Sequence, residues 1–386
     1  MGTDIHVRSK FHVVVCFGTR PEVIKLAPVI SALESTENVQ TTLVTTAQHR
    51  EMLDQMLETF GLTVDIDLQL MQPNQELSEL TARAVSGLGS LMRRLEPDAV
   101  LVQGDTTTAF CAALTAFYER VPVGHVEAGL RTDNPYSPFP EEINRRLVSQ
   151  VARWHFCPTE SSQARLLKDG VPRGQTEVTG NTVIDALLSV ADGTLANSVT
   201  MQEGVATQRR RILVTLHRRE SQGVQQQMLS RMFARIAEEQ DIEIIFPVHL
   251  SPAVRSQVLP ELENRAHIHV VDPVDYLEFI SLMKSAYLIV TDSGGVQEEA
   301  PSLNVPVLVV RDTTERPEGI AAGCARLSGT DPTVVEEQIM ELIHNPTVYA
   351  RMANARNPYG DGTAAKQIVA RLMADLQAGR ESEGTR

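Results

Sequence analysis

Short runs of β-branched and other apolar residues alternate with amphipathic helical stretches along almost the whole chain. The first series of predicted strands covers residues 12–17, 42–45, 99–103, 122–126 and 154–157, and the second covers residues 212–215, 242–246, 268–271, 287–291 and 305–310. Helical patterns such as residues 22–33 and 77–95 separate the strands. Apolar strands between amphipathic helices are typical of parallel sheets that helices cover on both faces. The pattern therefore predicts an α/β protein with two doubly wound domains.

Two stretches depart from this alternation. Residues 191–208 are the least patterned, and we interpret them as a helix–loop segment of the second domain. A last helical pattern covers residues 363–377, and the polar residues 378–386 after it predict a frayed tail.

Composition and charge narrow the class of protein. The 386 residues carry 35 basic and 49 acidic side chains, a net charge of −14, which argues against nucleic acid or an anionic membrane as a partner. The four cysteines, Cys16, Cys111, Cys157 and Cys324, lack metal-site spacing and read as buried thiols. No signal peptide or apolar stretch of transmembrane length is visible, so we expect a soluble cytoplasmic protein.

Charged residues follow several predicted strands of the first domain, where ligands of parallel sheets bind. Arg20 and Lys25, after the first strand, are either diphosphate ligands or solvated cations. Asp105 follows the third strand and is either a helix N-cap or a functional acid. Taken by itself, the N-cap is the favoured interpretation. Glu127 directly follows the fourth strand, with Arg131 four residues later. We interpret Glu127 as a functional acid and Arg131 as a substrate-binding residue, and the alternative is an ion pair between the two.

The remaining candidates lie on a stiff loop and in the second domain. Glu141 and Glu142 follow three prolines and open a helix, where a helix dipole also favours acids. His217 with Arg218 and Arg219, and the turn Ser293-Gly294-Gly295, are candidate anion sites after strands. Arg316 follows the last strand. The chain contains no GxGxxG, GxxxxGK[ST] or HExxH motif, so no NAD, ATP or metal site is predicted, and we expect no cofactor.

Ten motifs in the chain resemble those of the non-hydrolysing UDP-N-acetylglucosamine 2-epimerases. They extend from residue 17 to residue 362 in the family's order: FGTRPEVIKLAP, TAQHREMLDQ, GDTTT, VGHVEAGLRT, PEEINRR, TGNTVIDAL, HRRES, PVH, TDSGGVQEEAPSLNVPVLVVRDTTERPE and NPYGDG. The resemblance implies two Rossmann-like domains that face each other across a cleft, the GT-B architecture. It places residues 1–181 with about 364–386 in the N-terminal domain and 182–363 in the C-terminal, UDP-binding domain.

The resemblance also implies an activity and a set of residues. The family interconverts UDP-GlcNAc and UDP-ManNAc, without cofactor or metal, by eliminating UDP to a 2-acetamidoglucal and adding it back with C2 inverted. The implied functional residues are Arg20, Lys25, Asp105, Glu127, Glu141, His217, Phe279, Ser293, Gly294, Gly295, Glu299 and Arg316. Glu299 suits ribose hydroxyls, whereas we interpret Glu298 as an ordinary first-turn charge.

Several alternatives stay open at this point. A relative that releases ManNAc, or one that acts on a UDP-diacetamido-uronate, shares most of the motifs. A GT-B glycosyltransferase needs an acceptor site, and a silent nucleotide-sugar sensor would not need the carboxylates. Val274 departs from the glutamine of some relatives, and Glu51 stands where substrate-activated members tend to have glutamine, which disfavours activation here. A homodimer is expected from the resemblance.

Overall fold

A computed structural model describes residues 10–46, 50–70, 75–132, 134–193, 209–216 and 223–384 of the chain. Its backbone divides into two compact units. Unit 1 comprises Met1–Ala186 and Gly360–Arg386, and unit 2 comprises Leu187–Tyr359. The first change of unit therefore falls inside a helix, five residues after the position expected from the sequence.

Unit 1 is built on a parallel sheet of seven strands with the order β3-β2-β1-β4-β5-β6-β7. Its strands are β1 Phe11–Phe17, β2 Val39–Thr45, β3 Ile66–Asp67, β4 Ala99–Gln103, β5 Val123–Val126, β6 Trp154–Cys157 and β7 Thr176–Val178. The chain winds outward from β1 in one direction and then from β4 in the other. Strands β1, β4 and β5 are neighbours, so the turns that follow them lie side by side at the carboxyl edge.

Eight α-helices belong to unit 1 wholly or in part within the described residues. They are α1 Arg20–Glu34, α2 Arg50–Thr59, α3 Leu77–Leu95, α4 Thr107–Tyr118, α5 Glu141–Val151, α6 Glu160–Lys168, α7 Thr182–Ala191 and α15 Ala364–Gly384. The Oγ1 atom of Thr106 accepts a hydrogen bond from the amide of Ala109 and so caps α4. The reading of Asp105 as the cap of this helix is therefore wrong, because the next residue performs that task.

Unit 2 repeats the design with a parallel sheet of six strands in the order β10-β9-β8-β11-β12-β13. Its strands are β8 Arg210–Thr215, β9 Ile242–Pro247, β10 Ile268–Val271, β11 Leu288–Thr291, β12 Val307–Val309 and β13 Ala325–Leu327. Its helices are α8 Val224–Glu239, α9 Pro252–Leu262, α10 Tyr276–Ser285, α11 Gly294–Glu299, α12 Pro317–Ala322, α13 Pro332–His344 and α14 Pro346–Ala353. The prediction of two Rossmann-like α/β domains is confirmed.

The sequence pattern missed three strands, β3, β7 and β13. Each has only two or three residues and lies at an edge of its sheet, where a strand is not buried on both faces and carries no continuous apolar run. The expectation of a frayed tail was wrong. Helix α15 continues to Gly384, and the guanidinium of Arg380 lies 3.6 Å from the ring centroid of Phe11.

The cysteines agree with the expectation of buried thiols. All four cysteines are buried and free, and burial raises the pKa of Cys16 to about 12. None of the helices in the described ranges is both long enough and apolar enough to cross a membrane.

Candidate active site

Glu127 lies in a strained backbone conformation at the carboxyl edge of the unit 1 sheet. It directly follows β5, and its φ of 64° is in the left-handed region that residues with a side chain seldom adopt. The residue is 8% exposed. Packing does not explain a buried carboxylate in such a conformation.

Three donors converge on the Glu127 carboxylate. Lys25 on α1 approaches Oε1 with its ammonium at 2.5 Å, and the side-chain amide of Asn181 donates to the same oxygen at 3.1 Å. The side-chain amide of Gln103, the last residue of β4, donates to Oε2. Both oxygens are therefore held, and the donors stabilise the ionised form of the group.

Asp105 occupies the neighbouring turn, two residues after β4. Its carboxylate pairs with the guanidinium of Arg145 on α5. Burial raises the pKa of Asp105, Arg145 opposes that shift, and the nearby Glu127 charge adds to it. The charges of Asp105 and Glu127 thus interact, although the two carboxylates have different environments.

Arg131 has other partners than the sequence suggested. Its Nε donates to Asp169 at 2.9 Å, and its Nη2 donates to the hydroxyl of Ser149 at 3.0 Å. The alternative of a Glu127–Arg131 ion pair is therefore wrong, because Lys25 takes that place on Glu127. These contacts tie Arg131 to α5 and to the end of α6.

The two glutamates that open α5 have different surroundings. Glu142 is fully buried, accepts the amide of Thr132 at 2.9 Å, and pairs with Arg146 at 2.6 Å, so it fixes the proline-rich loop. Glu141 is partly buried, and its buried Oε2 has no hydrogen-bond partner in the described parts of the chain. A buried oxygen without a donor is costly unless a ligand or another group supplies one.

The turn after β1 carries Arg20, which is exposed and forms no ion pair with another described residue. Two residues later, Glu22 is 1% exposed and was not singled out from the sequence. Its Oε2 accepts the amide of Gly18 and the hydroxyl of Thr19, and its Oε1 accepts the hydroxyl of Thr106. Glu22 lies in the first turn of α1, where an acidic side chain is ordinary, so the sequence carries no signal of its burial.

In unit 2, the Ser293-Gly294-Gly295 turn follows β11 and opens α11: Ser293 is the N-cap, and the two glycines are the first residues of the helix. The amide of Ser293 donates to the hydroxyl of Thr291 at 2.9 Å. A methyl group added to Gly295 would meet no atom within 4 Å, so packing does not require glycine at this position. The space beside Gly295 is open to a ligand.

The interpretation of Glu298 as an ordinary first-turn charge was wrong. Glu298 is the fifth residue of α11, is 3% exposed, and pairs through Oε1 with the Nε of Arg316. A solvated charge would be exposed, whereas this carboxylate fixes the guanidinium that the sequence assigned to a ligand. Tyr359 supports the same residue, because its hydroxyl donates to the carbonyl of Arg316 at 3.2 Å.

Glu299, the next residue, is 8% exposed and lies near the phenol of Tyr276 on α10. Burial raises the pKa of Tyr276, and the charge of Glu299 adds to that shift. Phe279, one turn further along α10, is partly buried. Glu299 and α10 are thus neighbours within unit 2.

His217, Arg218 and Arg219 lie outside the described residues, as does the side chain of Glu51. Within the ranges that the structure describes, no three His, Cys, Asp or Glu residues are placed to hold a metal ion.

Comparison with known proteins extends these observations. A family model described as UDP-N-acetylglucosamine 2-epimerase matches residues 31–373. A UDP-N-acetylglucosamine 2-epimerase of Salmonella typhimurium is 49% identical over 370 residues, which cover 94% of this chain and 98% of the relative.

Two solved structures have the same fold and similar sequences. The UDP-GlcNAc 2-epimerase of Neisseria meningitidis, bound to UDP-GlcNAc, is 45% identical with a TM-score of 0.84 and covers 94% of this chain and 100% of its own. The Methanocaldococcus jannaschii enzyme, in complex with UDP-GlcNAc and UDP, is 33% identical with a TM-score of 0.74 and the same coverage.

Proposed function

This chain belongs to the UDP-N-acetylglucosamine 2-epimerase family, and we propose that it interconverts UDP-GlcNAc and UDP-ManNAc without hydrolysing them. The observation that carries the proposal is the pair Asp105 and Glu127, which follow the adjacent strands β4 and β5 and have charges that interact but different partners. Inversion at a carbon that bears hydrogen needs proton transfer on two faces, and a pair of unlike carboxylates supplies two such groups.

The order of bond breaking follows from the chemistry of the sugar. The hydrogen at C2 is not next to a carbonyl group, so a carboxylate cannot remove it from the resting substrate. Departure of UDP from C1 creates an oxocarbenium-like centre and makes the C2 hydrogen acidic. Loss of that proton gives 2-acetamidoglucal, and addition of a proton to the other face with return of UDP to C1 gives the epimer. Stabilising the departing diphosphate is therefore part of the catalysis.

Residues of unit 2 are assigned to UDP. The Ser293–Gly295 turn offers the amides of its two glycines to the phosphates, and the open space beside Gly295 supports this role. Arg316, fixed by Glu298, offers a preorganised positive charge, and His217 is assigned to the leaving oxygen. Glu299 accepts from ribose hydroxyls, and Phe279 belongs to the same substrate-binding set.

Residues of unit 1 are assigned to the proton transfers. Glu127 is held as a carboxylate by three donors, which suits the base that removes the C2 proton. Asp105, whose pKa burial raises, suits the acid that returns a proton to the other face. Glu141 contributes a further carboxyl group whose Oε2 has no donor in the described part of the protein.

Lys25 and Arg131 are assigned to indirect roles, and not to direct ligation of phosphate. Lys25 neutralises Glu127 and keeps it ionised before the substrate reacts. Arg131 fixes α5 through Ser149. Arg20, which is exposed at the turn after β1, remains the unit 1 cation assigned to the diphosphate.

The proton transfers of one turnover determine what an experiment on the proposed function should measure. In one turnover Glu127 gains a proton and Asp105 loses one, so the site returns to its starting state only by exchanging a proton with solvent or between the two groups. Incubation with UDP-GlcNAc in deuterated water, followed by NMR, is expected to give UDP-ManNAc with deuterium at C2. Folded protein that binds UDP but exchanges no C2 hydrogen would contradict the proposal.

The same experiment separates the alternatives. Free ManNAc with UDP would indicate a hydrolysing relative. Exchange seen only with a UDP-diacetamido-uronate would change the substrate, and transfer of the sugar to an acceptor without C2 exchange would indicate a glycosyltransferase.

We further propose that the protein is a homodimer. Phe117 and Tyr118 at the end of α4 are 54% and 63% exposed, and Ile143 and Leu147 on α5 are 40% and 42% exposed. Helices α4 and α5 pack on each other, so this one helix pair carries all four of these exposed apolar side chains. Light scattering is expected to give a dimer for the wild type and a monomer for Leu147→Glu. A monomeric wild type would contradict this proposal.

A further inference from the structure

Glu22 is a carboxylate buried in the first turn of α1. It is 1% exposed, and no lysine or arginine of the described residues forms an ion pair with it. Its hydrogen bonds come from one backbone amide and two hydroxyl groups, at 2.7 to 3.0 Å. Burial raises the pKa of Glu22 to about 7, and the hydrogen bonds only partly offset this effect.

The stability of unit 1 does not account for a carboxylate at this position. An ionised group costs free energy when it is buried without a cation, and a neutral side chain of similar size would be buried at a lower cost. A residue that works against stability at neutral pH is a candidate for a functional role.

The two oxygens of Glu22 join the two turns that carry site residues. Oε2 accepts from Gly18 and Thr19, which form the turn immediately before Arg20. Oε1 accepts from Thr106, which immediately follows Asp105. Strands β1 and β4 are neighbours, so one side chain spans both turns.

Based on the proposed function, we infer that Glu22 is a positioning residue for the epimerisation, fixing the Arg20 turn and the Asp105 turn relative to each other. It acts through these turns, with Arg20 placed for the diphosphate and Asp105 placed for the proton.

The hydrogen-bond chemistry explains why a carboxylate suits this role. Both oxygens of a carboxylate are acceptors, and all three neighbours act as donors to it. The hydroxyl oxygen of Thr106 already accepts the amide of Ala109, so its hydrogen points toward Glu22. A glutamine presents one acceptor and one donor, and its amide hydrogens would face the hydroxyl hydrogen of Thr106.

Three substitutions separate the two connections. Glu22→Gln alters both, Thr19→Val removes one donor at the Arg20 turn, and Thr106→Val removes the donor at the Asp105 turn together with the cap of α4, whose cost the melting temperature measures. The matched controls are Glu34→Gln, an exposed glutamate at the end of the same helix, and Thr115→Val, a buried threonine of α4 whose hydroxyl bonds only within its helix. UDP affinity is measured by calorimetry, turnover with UDP-GlcNAc, and folding by the melting temperature.

The expected result is a division between binding and turnover. Thr19→Val weakens UDP binding about tenfold with a smaller change in kcat, Thr106→Val lowers kcat about tenfold at nearly unchanged UDP affinity, and Glu22→Gln does both. The control variants stay within twofold of the wild type.

Two results would overturn the inference. One is a Glu22→Gln enzyme within twofold of the wild type in both quantities, and the other is an equal loss of affinity and kcat in both threonine variants. If Glu22→Gln does not fold, the two threonine variants decide alone. A wild type that binds UDP but neither turns over nor exchanges C2 hydrogen contradicts the proposed function instead, and the UDP affinities of Thr19→Val and Glu22→Gln then still test the positioning of the Arg20 turn.

Discussion

The side-chain amide of Asn181 donates a hydrogen bond of 3.1 Å to Oε1 of Glu127, across 54 positions of sequence. Asn181 precedes α7 and is 1% exposed, so its side chain has little freedom to turn away. Together with Lys25 and Gln103, it fixes both the orientation and the charge of a carboxylate in a strained backbone.

Asn181→Asp is expected to damage the enzyme through charge. A second carboxylate beside Glu127 favours the protonated form of the pair, so the base is lost at neutral pH. The acidic limb of kcat/KM is expected to move up by about one to two pH units, with kcat at pH 7 falling about tenfold or more. Gln163→Glu makes the matching change elsewhere in unit 1 and is expected to leave the profile unchanged. An unmoved limb in Asn181→Asp would contradict this role.

Glu127→Gln is expected to bind UDP and to lose turnover. The amide keeps the size of the side chain but cannot accept a proton, so kcat is expected to fall by about 10²- to 10⁴-fold while the Kd for UDP changes less than about threefold. Calorimetry and C2 exchange give the two quantities. Glu160→Gln, an exposed glutamate of unit 1, is the control. Retained turnover would remove Glu127 from the mechanism.

Gly295→Ala is expected to separate binding from stability. The added methyl group enters the open space beside the turn and blocks a phosphate oxygen, so UDP affinity is expected to fall about tenfold. Stability is expected to stay equal or to rise by about 0.5–1 kcal/mol, because alanine favours the helix. The control is Gly174→Ala, where an added methyl group likewise meets no atom within 4 Å. Unchanged UDP affinity would mean that the phosphates lie elsewhere.

Tyr359→Phe is expected to weaken the support of Arg316. The lost hydroxyl leaves the Arg316 carbonyl and the Gly319 amide without their partner, which costs about 1–3 kcal/mol of stability and should weaken UDP binding several-fold. Tyr349→Phe also removes a hydroxyl bonded to a carbonyl, that of Tyr287, and is expected to lower stability without affecting UDP. Denaturant unfolding and calorimetry compare the two variants, and equal UDP affinities in both would contradict the link.

Glu22→Gln is expected to stabilise the protein at high pH. Burial raises the folded-state pKa of Glu22 from 4.5 to about 7, so the stability it contributes is present below about pH 4.5 and is lost as the pH rises through about 7. Glutamine does not ionise and avoids this loss, so the variant is expected to gain about 2–3 kcal/mol relative to the wild type between pH 5 and pH 8. Denaturant unfolding at the two pH values measures the difference. A difference in unfolding free energy between the variant and the wild type that is the same at both pH values would contradict the raised pKa of Glu22.

The strands that pass through the middle of each sheet were predictable because burial on both faces makes them continuously apolar. Strands β4 and β6 begin and end where the pattern placed them. Edge strands such as β3 and β13 lack that requirement, and their pairing depends on a neighbour that is remote in sequence.

The residues of the candidate site divide in the same way into those that the sequence predicted and those that it did not. Residues that directly follow a strand, such as Asp105, Glu127 and Ser293, could be proposed because a parallel sheet puts ligands at that edge. The burial of Glu22 and Glu298 could not be predicted, because a glutamate in a helix reads as a solvated charge until its neighbours are known.

The sequence by itself determined the two α/β domains, the positions of their central strands and the family, because these depend on local periodicity and on contiguous motifs. The tertiary structure decided which charges meet: Lys25 with Glu127, Arg145 with Asp105, and Arg316 with Glu298. An ion pair between residues far apart in sequence leaves no periodic signal in the chain. Only the folding of neighbouring strands and helices brings the two side chains together and gives each carboxylate its own environment.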